Sequence, residues 1–156
     1  MKQIKQILSI IIFISFITSP LFSEENNQNK SISFDNYQIK EIFKGKPASI
    51  DFSSDPDAKR FKTRLTTGIK EGANFAGHYS IILWGCGTNC QQIAIVNTKK
   101  GKICAWLDSC GDVQYKLNSY LLIVNPFEDE NPYPEGCKTE YYLWVDEKLQ
   151  EVNKNG

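Results

Sequence analysis

The chain has 156 residues, equal numbers of basic and acidic side chains, and a hydrophobic content of 41%. This length fits one domain once a targeting segment is removed. The balanced charge, without a basic stripe, argues against a nucleic-acid partner.

The first 23 residues have the pattern of a secretory signal peptide. Lys2 and Lys5 form a positive start, residues 7–17 are nearly all apolar, and Ser23 offers a small residue at a cleavage point. The apolar run is shorter than the roughly 20 residues of a membrane-spanning helix. We therefore predict an exported protein, periplasmic or secreted, with no stable membrane insertion after signal cleavage.

The mature chain is predicted to contain three parts. Residues 24–33 are polar and are expected to form a disordered leader. Residues 34–152 are expected to form a single, disulfide-containing domain, and residues 153–156 a fraying tail.

The first part of this domain predicts an edge strand and a helix. Residues 34–43 alternate loosely between apolar and polar, and residues 50–52 suggest a further short strand. Asp55 and Pro56 are typical of a helix start, and Gly72 of a helix end. The apolar residues of one helical face are Ala58, Phe61, Leu65 and Ile69. The cations on the rest of the helix form either an anion-binding patch or, as is commoner, a solvated face: Lys59, Arg60, Lys62 and Arg64.

A β-hairpin follows the helix. Residues 79–84 and 91–96 are apolar runs suited to strands, and residues 85–89 contain two glycines that permit the positive φ of a tight reversal. Together they predict a hairpin. We expect binding function at its turn end, and the binding candidates are His78, Trp84, Gly85, Gly87, Thr88 and Asn89.

His78 is the single histidine and raises a catalytic alternative, in which it activates Cys86 or Cys90 as a nucleophile. In a hairpin, however, the chain from His78 to Cys86 spans roughly 26 Å at about 3.3 Å per residue. We therefore predict no catalytic residue and expect His78 to form hydrogen bonds at the start of a strand. Its near-neutral reference pKa makes it the one pH-sensitive side chain expected near pH 7.

The remaining sequence predicts further strands at residues 102–107, 113–117, 120–124, 141–145 and 149–152. Residues 125–135 contain three prolines and four carboxylates and read as a surface loop. The chain is thus predicted to be mostly β (α+β), a small antiparallel sheet or sandwich of six to eight short strands with one packed helix.

All five cysteines lie after the predicted signal peptide: Cys86, Cys90, Cys104, Cys110 and Cys137. Export makes disulfides the default. Local spacing favours Cys86–Cys90 and Cys104–Cys110, which would leave Cys137 free, although Cys137 bonded to the hairpin is an alternative. A free fifth cysteine would permit a disulfide-linked dimer.

The runs N-F-A-G-H-Y (74–79) and W-G-C-G-T-N-C (84–90), with the segments 115–124 and 137–144, resemble a family of small exported bacterial proteins of uncharacterised function. The resemblance covers roughly residues 55–152 and implies a Gram-negative-type exported domain without a nameable activity. It also implies that the hairpin cysteines and Cys137 recur while Cys104 and Cys110 are additions, which makes a bond between Cys137 and one hairpin cysteine a serious rival to the Cys86–Cys90 pair.

The leading hypothesis from these features is a non-catalytic domain that binds a protein or an envelope component, a description that an inhibitor or a surface-interaction protein would fit. The binding surface would be the end of the sheet that carries residues 85–89, together with the acidic loop formed by residues 126–135. The alternative is a cysteine-dependent enzyme, a hydrolase or thiol oxidoreductase, that uses His78 with a cysteine. A structural zinc site built from cysteines is a third hypothesis, but we predict no metal and no cofactor.

Overall fold

A computed structural model of the chain describes residues 32–126 and 134–153. The predicted signal peptide, residues 24–31 of the leader, residues 127–133 of the acidic loop and residues 154–156 of the tail lie outside the described residues. The strands are β1 (Tyr79–Gly87), β2 (Cys90–Asn97), β3 (Lys102–Ser109), β4 (Val113–Tyr115), β5 (Leu121–Val124), β6 (Glu140–Val145) and β7 (Lys148–Glu151). The helices are α1 (Lys62–Gly68) and three 3₁₀ helices, Phe34–Asn36, Pro56–Phe61 and Ile69–Glu71.

The strands form two antiparallel sheets, one with the order β1-β2-β3 and the other with the order β4-β5-β6-β7. This arrangement confirms the predicted mostly β fold with one packed helix. Within the described ranges, no helix has the length and apolar character needed to cross a membrane.

The three-stranded sheet is the middle layer of the molecule. Alternate residues of a strand point to opposite faces, and in β1 both sets are mostly apolar. Tyr79 and Ile81 face a core shared with the four-stranded sheet. Ile82 and Trp84 face a second core. This core is formed with the helical segment, which comprises the 3₁₀ helix Pro56–Phe61, α1 and the 3₁₀ helix Ile69–Glu71. The apolar character of both faces of β1 is thus explained by a layer on each side.

The helical segment begins and ends where the sequence predicts. Asp55 caps it by accepting a hydrogen bond from the Asp57 N–H at 2.9 Å, and Pro56 occupies the first position. The segment ends at Gly72, whose φ of 90° suits glycine. The expected apolar face is buried at Ala58, Leu65 and Ile69.

The edge strand predicted at residues 34–43 is wrong. The segment contains the 3₁₀ helix Phe34–Asn36 and a single bridge, between Gln38 and Ser119. Its later N–H groups bond to turns: Ile39 N to Asn118 O at 2.7 Å and Phe43 N to Gly77 O at 2.8 Å. Because these acceptors lie in turns and not along a strand, no ladder can extend.

The strand predicted at residues 50–52 is also reduced, to one parallel bridge between Asp51 and Lys102. The Asp51 side chain instead accepts hydrogen bonds from Ser53. This turn, one step before the Asp55 cap, leaves no room for an extended run.

The cysteine pairing is only partly as expected. Cys86 and Cys90 are bonded, with Cα atoms 5.1 Å apart. Cys110 bonds to Cys137 across 6.3 Å, so the pairing of Cys104 with Cys110, the free Cys137 and the bond from Cys137 to the hairpin are all wrong. Cys104 is the free thiol. It lies at an irregularity in the β2–β3 pairing and packs against the core shared by the sheets, away from the end of β3 where Cys110 lies.

Candidate functional site

The predicted binding residues divide between the two ends of β1. Gly85, Gly87, Thr88 and Asn89 are exposed at the turn end. Trp84 is buried beneath them, with 8% of its surface exposed. His78 precedes the other end of the strand. The structure therefore brings the hairpin residues together and separates His78 from them.

The hairpin turn is short and cross-linked. Thr88 and Asn89 form the two-residue turn, and Asn89 has a φ of 53°. The β1–β2 register shifts between Gly85 and Gly87, which leaves Cys86 outside the regular pairing. The bond from Cys86 to Cys90 spans the turn, so that the end of the hairpin is held by covalent and hydrogen-bonded links.

A groove with a volume of 490 Å³ lies between this hairpin and the helical segment. Its hairpin wall consists of Trp84, Gly85, Cys86 and Gln92. The other wall is the stretch 59–64, with the cations Lys59, Arg60, Lys62 and Arg64. No acidic residue lines the groove among the described residues, so its electrostatic potential favours an anionic ligand.

Three aromatic rings support the groove from below. Phe61 lies 5.1 Å from Trp84 and 5.6 Å from Trp106, measured between ring centroids, and the two tryptophans are 5.9 Å apart. Trp106 donates its indole N–H to the Asp55 carboxylate at 2.5 Å. This bond ties the start of the helical segment to β3 and fixes the position of the cations that follow.

The outer edge of β1 is paired along only part of its length. The Tyr79 N–H bonds to Phe75 O at 2.9 Å. Ile81 bonds to the Asn74 side chain through its N–H at 2.7 Å and through its carbonyl at 3.0 Å. Leu83 and Gly85 are the next residues with backbone groups on this edge, and the described part of the chain offers them no partner there.

Both disulfides border a second cavity, of 320 Å³, on the far side of the hairpin. Its lining includes Cys90, Cys110 and Cys137. Asn125 shapes this region by accepting hydrogen bonds from the N–H groups of Cys110 and Gly111, each at 2.9 Å. The two cross-links thus stiffen the same end of the molecule.

His78 lies in a structural setting at the opposite end. Its carbonyl accepts hydrogen bonds from the Thr98 N–H at 3.0 Å and from the Thr98 hydroxyl at 2.6 Å. Partial burial and the nearby Lys99 ammonium lower the pKa of the imidazole. These hydrogen bonds involve the backbone of His78, so the hydrogen bonding expected of its side chain at the start of the strand stays a prediction.

The remaining candidate nucleophiles are placed as follows. Cys86 and Cys90 are bonded to each other at the far end of β1 from His78. Cys104 is half-buried, and its desolvation raises the pKa of the thiol. Within residues 32–126 and 134–153, no group of three or more His, Cys, Asp or Glu side chains is placed to hold a metal ion.

The sequence identified both walls of the groove but not their proximity. The four cations appeared as a helix face, and Trp84 and Gly85 as part of a hairpin. Gln92 in the groove wall and Leu83 at the outer edge of β1 were not predicted to contribute to a binding site, because nothing in the local sequence pattern marks them. Comparisons with protein-family models, with curated proteins and with solved structures found no match.

Proposed function

We propose that the chain is an exported, non-catalytic binding domain whose ligand, a protein or an envelope component, docks at the hairpin end of the three-stranded sheet. The observation that carries this proposal is the groove between residues 59–64 and the hairpin, which is lined by four cations and, among the residues that the structure describes, by no acidic side chain. Two disulfides, which form and persist in oxidising compartments, support export.

The composition of the groove also supports binding. Arginine and tryptophan are the residue types that most often dominate the affinity of protein interfaces. Here Arg60 and Arg64 stand beside Trp84, on a scaffold that the Cys86–Cys90 bond holds in place. A surface that is ordered before binding loses little conformational entropy when its ligand arrives.

Site-specific photo-crosslinking tests the proposal. A photoreactive residue is placed at exposed Thr88, beside the groove, and a matched one at exposed Lys100, at the other end of the sheet. Both variants are exported from the native host and irradiated. We expect adducts from position 88 and not from position 100. Equal or absent adducts at the two positions would refute a binding site at the hairpin.

A thiol oxidoreductase is the second candidate, favoured by the position of Cys86. This residue is exposed and lines the cationic groove, and nearby cations stabilise a thiolate. In the reduced protein, the Cys86 thiolate would attack a substrate disulfide to give a mixed disulfide. Cys90 would then displace the substrate as a thiol, so that the two electrons pass from the dithiol to the substrate.

Equilibration with glutathione buffers tests this second candidate. A redox-active Cys86–Cys90 pair should be reduced in buffers that leave Cys110–Cys137 oxidised, and the reduced protein should reduce insulin. The Cys86→Ala/Cys90→Ala variant is the matched control and should be inactive. Joint reduction of both bonds only under strongly reducing conditions would assign Cys86–Cys90 a structural role.

A further inference from the structure

The groove adjoins the part of the outer edge of β1, at Leu83 and Gly85, that no other described residue pairs. We infer that the two accept one ligand: an extended, acidic segment of a partner protein that adds to β1 as a fourth strand. This inference rests on the proposed binding function and specifies its ligand.

The first step concerns the backbone of β1. In an antiparallel ladder, the backbone groups of alternate residues point to opposite edges. Tyr79 and Ile81 direct theirs away from β2, since they bond to Phe75 and Asn74. The same period of two directs the N–H and C=O groups of Leu83 and Gly85 to this outer edge. The edge therefore offers two donors and two acceptors to an incoming strand.

The second step concerns the space beside this edge. Asn74 and Phe75 occupy the first part of β1, so an added strand has room only from Leu83 towards the turn. A Cβ atom built on Gly85 would meet no other atom within 4 Å, so the face of the sheet at Gly85 is uncovered and leaves space for the side chains of an added strand. Leu83 is 37% exposed and is the one exposed large hydrophobic side chain among the described residues.

The third step concerns charge. Side chains of an added strand would alternate between the two faces of the sheet. Those on the helix side would lie beside residues 59–64, because α1 packs over β1 and the groove is lined by Gly85 as well as by the cations. Those on the other side would lie beside Leu83. Carboxylates at alternate positions, separated by apolar residues, match both surroundings.

The arginines strengthen this preference. Arg60 and Arg64 are the only arginines in the sequence, and both line the groove. Their guanidinium groups can bind carboxylates through two parallel hydrogen bonds. Within the described residues, neither forms an ion pair with an acidic side chain of the chain itself, so both are free to receive one from a ligand.

A polyanion such as a phosphorylated glycan would form ion pairs with the cations and no other contact at this site. It would leave the Leu83 and Gly85 backbone groups without partners and gain nothing from the exposed Leu83 side chain. A peptide strand uses all three features, as in known cases of strand addition to an open sheet edge. We therefore favour the peptide, and the polyanion becomes an outcome of the test.

The probe is a fluorescein-labelled octapeptide that alternates aspartate and valine, added to the full mature protein. We expect saturable binding in fluorescence anisotropy, and no binding of the matched lysine–valine peptide. Amide hydrogen exchange should slow at Leu83 and Gly85 when the acidic peptide binds. An absence of saturable binding up to roughly millimolar peptide, a weak-binding limit, would overturn the inference.

Two changes separate strand addition from simple charge attraction. A peptide that is N-methylated at alternate bonds lacks the donors for β1 and should bind at least about tenfold more weakly. Leu83→Pro removes an edge donor at a position where a sheet tolerates proline and should have a similar effect. Arg60→Glu/Arg64→Glu should abolish binding, whereas Lys100→Glu, at the other end of the sheet, should not.

The outcomes distinguish this inference from the function on which it rests. If the N-methylated peptide binds as well as its parent and polyphosphate displaces both, the groove is an anion site and strand addition is refuted. If position 88 yields crosslinks but the acidic peptide does not bind, the binding domain stands and only its proposed ligand falls. Because the N-methylated peptide needs no protein variant, the test survives a Leu83→Pro chain that fails to fold.

Discussion

Asn125 forms hydrogen bonds to both chain segments that the Cys110–Cys137 disulfide joins. Its side-chain oxygen accepts the N–H groups of Cys110 and Gly111, and its amide donates to Lys138 O at 3.2 Å. The residue is only 5% exposed and has a φ of 52°. Asparagine tolerates this left-handed conformation better than most residues, so side chain and backbone both suit the site.

Replacing Asn125 separates these two contributions. Asn125→Ala loses three hydrogen bonds and leaves the partly buried N–H groups of Cys110 and Gly111 without this acceptor, so the free energy of unfolding should fall by about 3 kcal/mol. Asn125→Gly loses the same bonds but accepts the positive φ, and should be about 1 kcal/mol more stable than the alanine variant. Urea unfolding measures both, with exposed Asn118→Ala as the control. Equal stabilities of the alanine and glycine variants would contradict a backbone contribution.

His78 should make stability depend on pH. Burial and Lys99 lower the pKa of the imidazole in the folded protein, so between that pKa and the unfolded value of about 6.5 the unfolded chain binds more protons. The free energy of unfolding should therefore decrease as the pH falls through this range. Asp51 and Glu147, whose pKa values are also lowered, titrate at more acidic pH and do not affect the window.

The measurement compares urea unfolding at roughly pH 7.5 and pH 5.5, which bracket the reference pKa of histidine. His78→Gln preserves the backbone bonds to Thr98 and should flatten the pH dependence. An identical slope in the wild type and the variant would show that His78 does not sense pH.

Gly68 governs the contact between two elements, α1 and β1. A Cβ atom at this position would lie 2.5 Å from Cγ2 of Ile82, a carbon close to the β1 backbone that cannot swing away. Alanine is better than glycine in a helix by about 1 kcal/mol, yet the clash should outweigh this gain. We expect Gly68→Ala to destabilise the protein by about 1–3 kcal/mol, the usual cost of overpacking a core.

Thermal or urea unfolding tests this prediction. Exposed Thr67→Ala, one position earlier in α1, should be neutral or stabilising. Ile82→Ala removes the obstructing carbons, so Gly68→Ala should cost less in that background than in the wild type. Equal costs in the two backgrounds would mean that Ile82 does not set the spacing between α1 and β1.

At the level of elements, local patterns predicted what depends on neighbouring residues. The hairpin follows from its apolar runs and glycines, and the helical segment from Asp55, Pro56 and Gly72. Residues 34–43 had a loose alternation as well, but their hydrogen-bonding partners are Asn118 and Gly77 in distant turns. The alternation carried no information about those partners, so the predicted strand was wrong.

The candidate site shows the same limit. The sequence contains the cations and the hairpin, but their shared groove depends on how α1 packs over β1. The open edge at Leu83 depends on where Asn74 and Phe75 end their pairing with β1. The bond from Cys110 to Cys137 likewise depends on the approach of residues 136–138 to the end of β3. None of these distances is encoded in local spacing.

For the whole molecule, the two disulfides differ in the length of chain that they close. Cys86–Cys90 joins residues four positions apart in the sequence, and Cys110–Cys137 joins residues 27 positions apart. The longer loop includes β4 and β5 and ends just before β6, so its bond ties the end of the middle layer to the four-stranded sheet. Because the Cys110–Cys137 bond restricts the unfolded chain more strongly, it should stabilise the protein more than the Cys86–Cys90 bond does.

Alanine pairs test this difference. Chain-entropy arguments give about 3.5 kcal/mol for the Cys110–Cys137 loop and about 2 kcal/mol for the hairpin loop. We therefore expect Cys110→Ala/Cys137→Ala to unfold at lower urea than Cys86→Ala/Cys90→Ala. If the Cys86→Ala/Cys90→Ala variant is instead the less stable of the two, local geometry at the turn outweighs chain entropy.

Alkylation without reduction tests which cysteine is free. It should add one label to the wild type, none to Cys104→Ser and one to each alanine pair. Because Cys104 is half-buried and its thiol pKa is raised, its label should appear quickly only after unfolding.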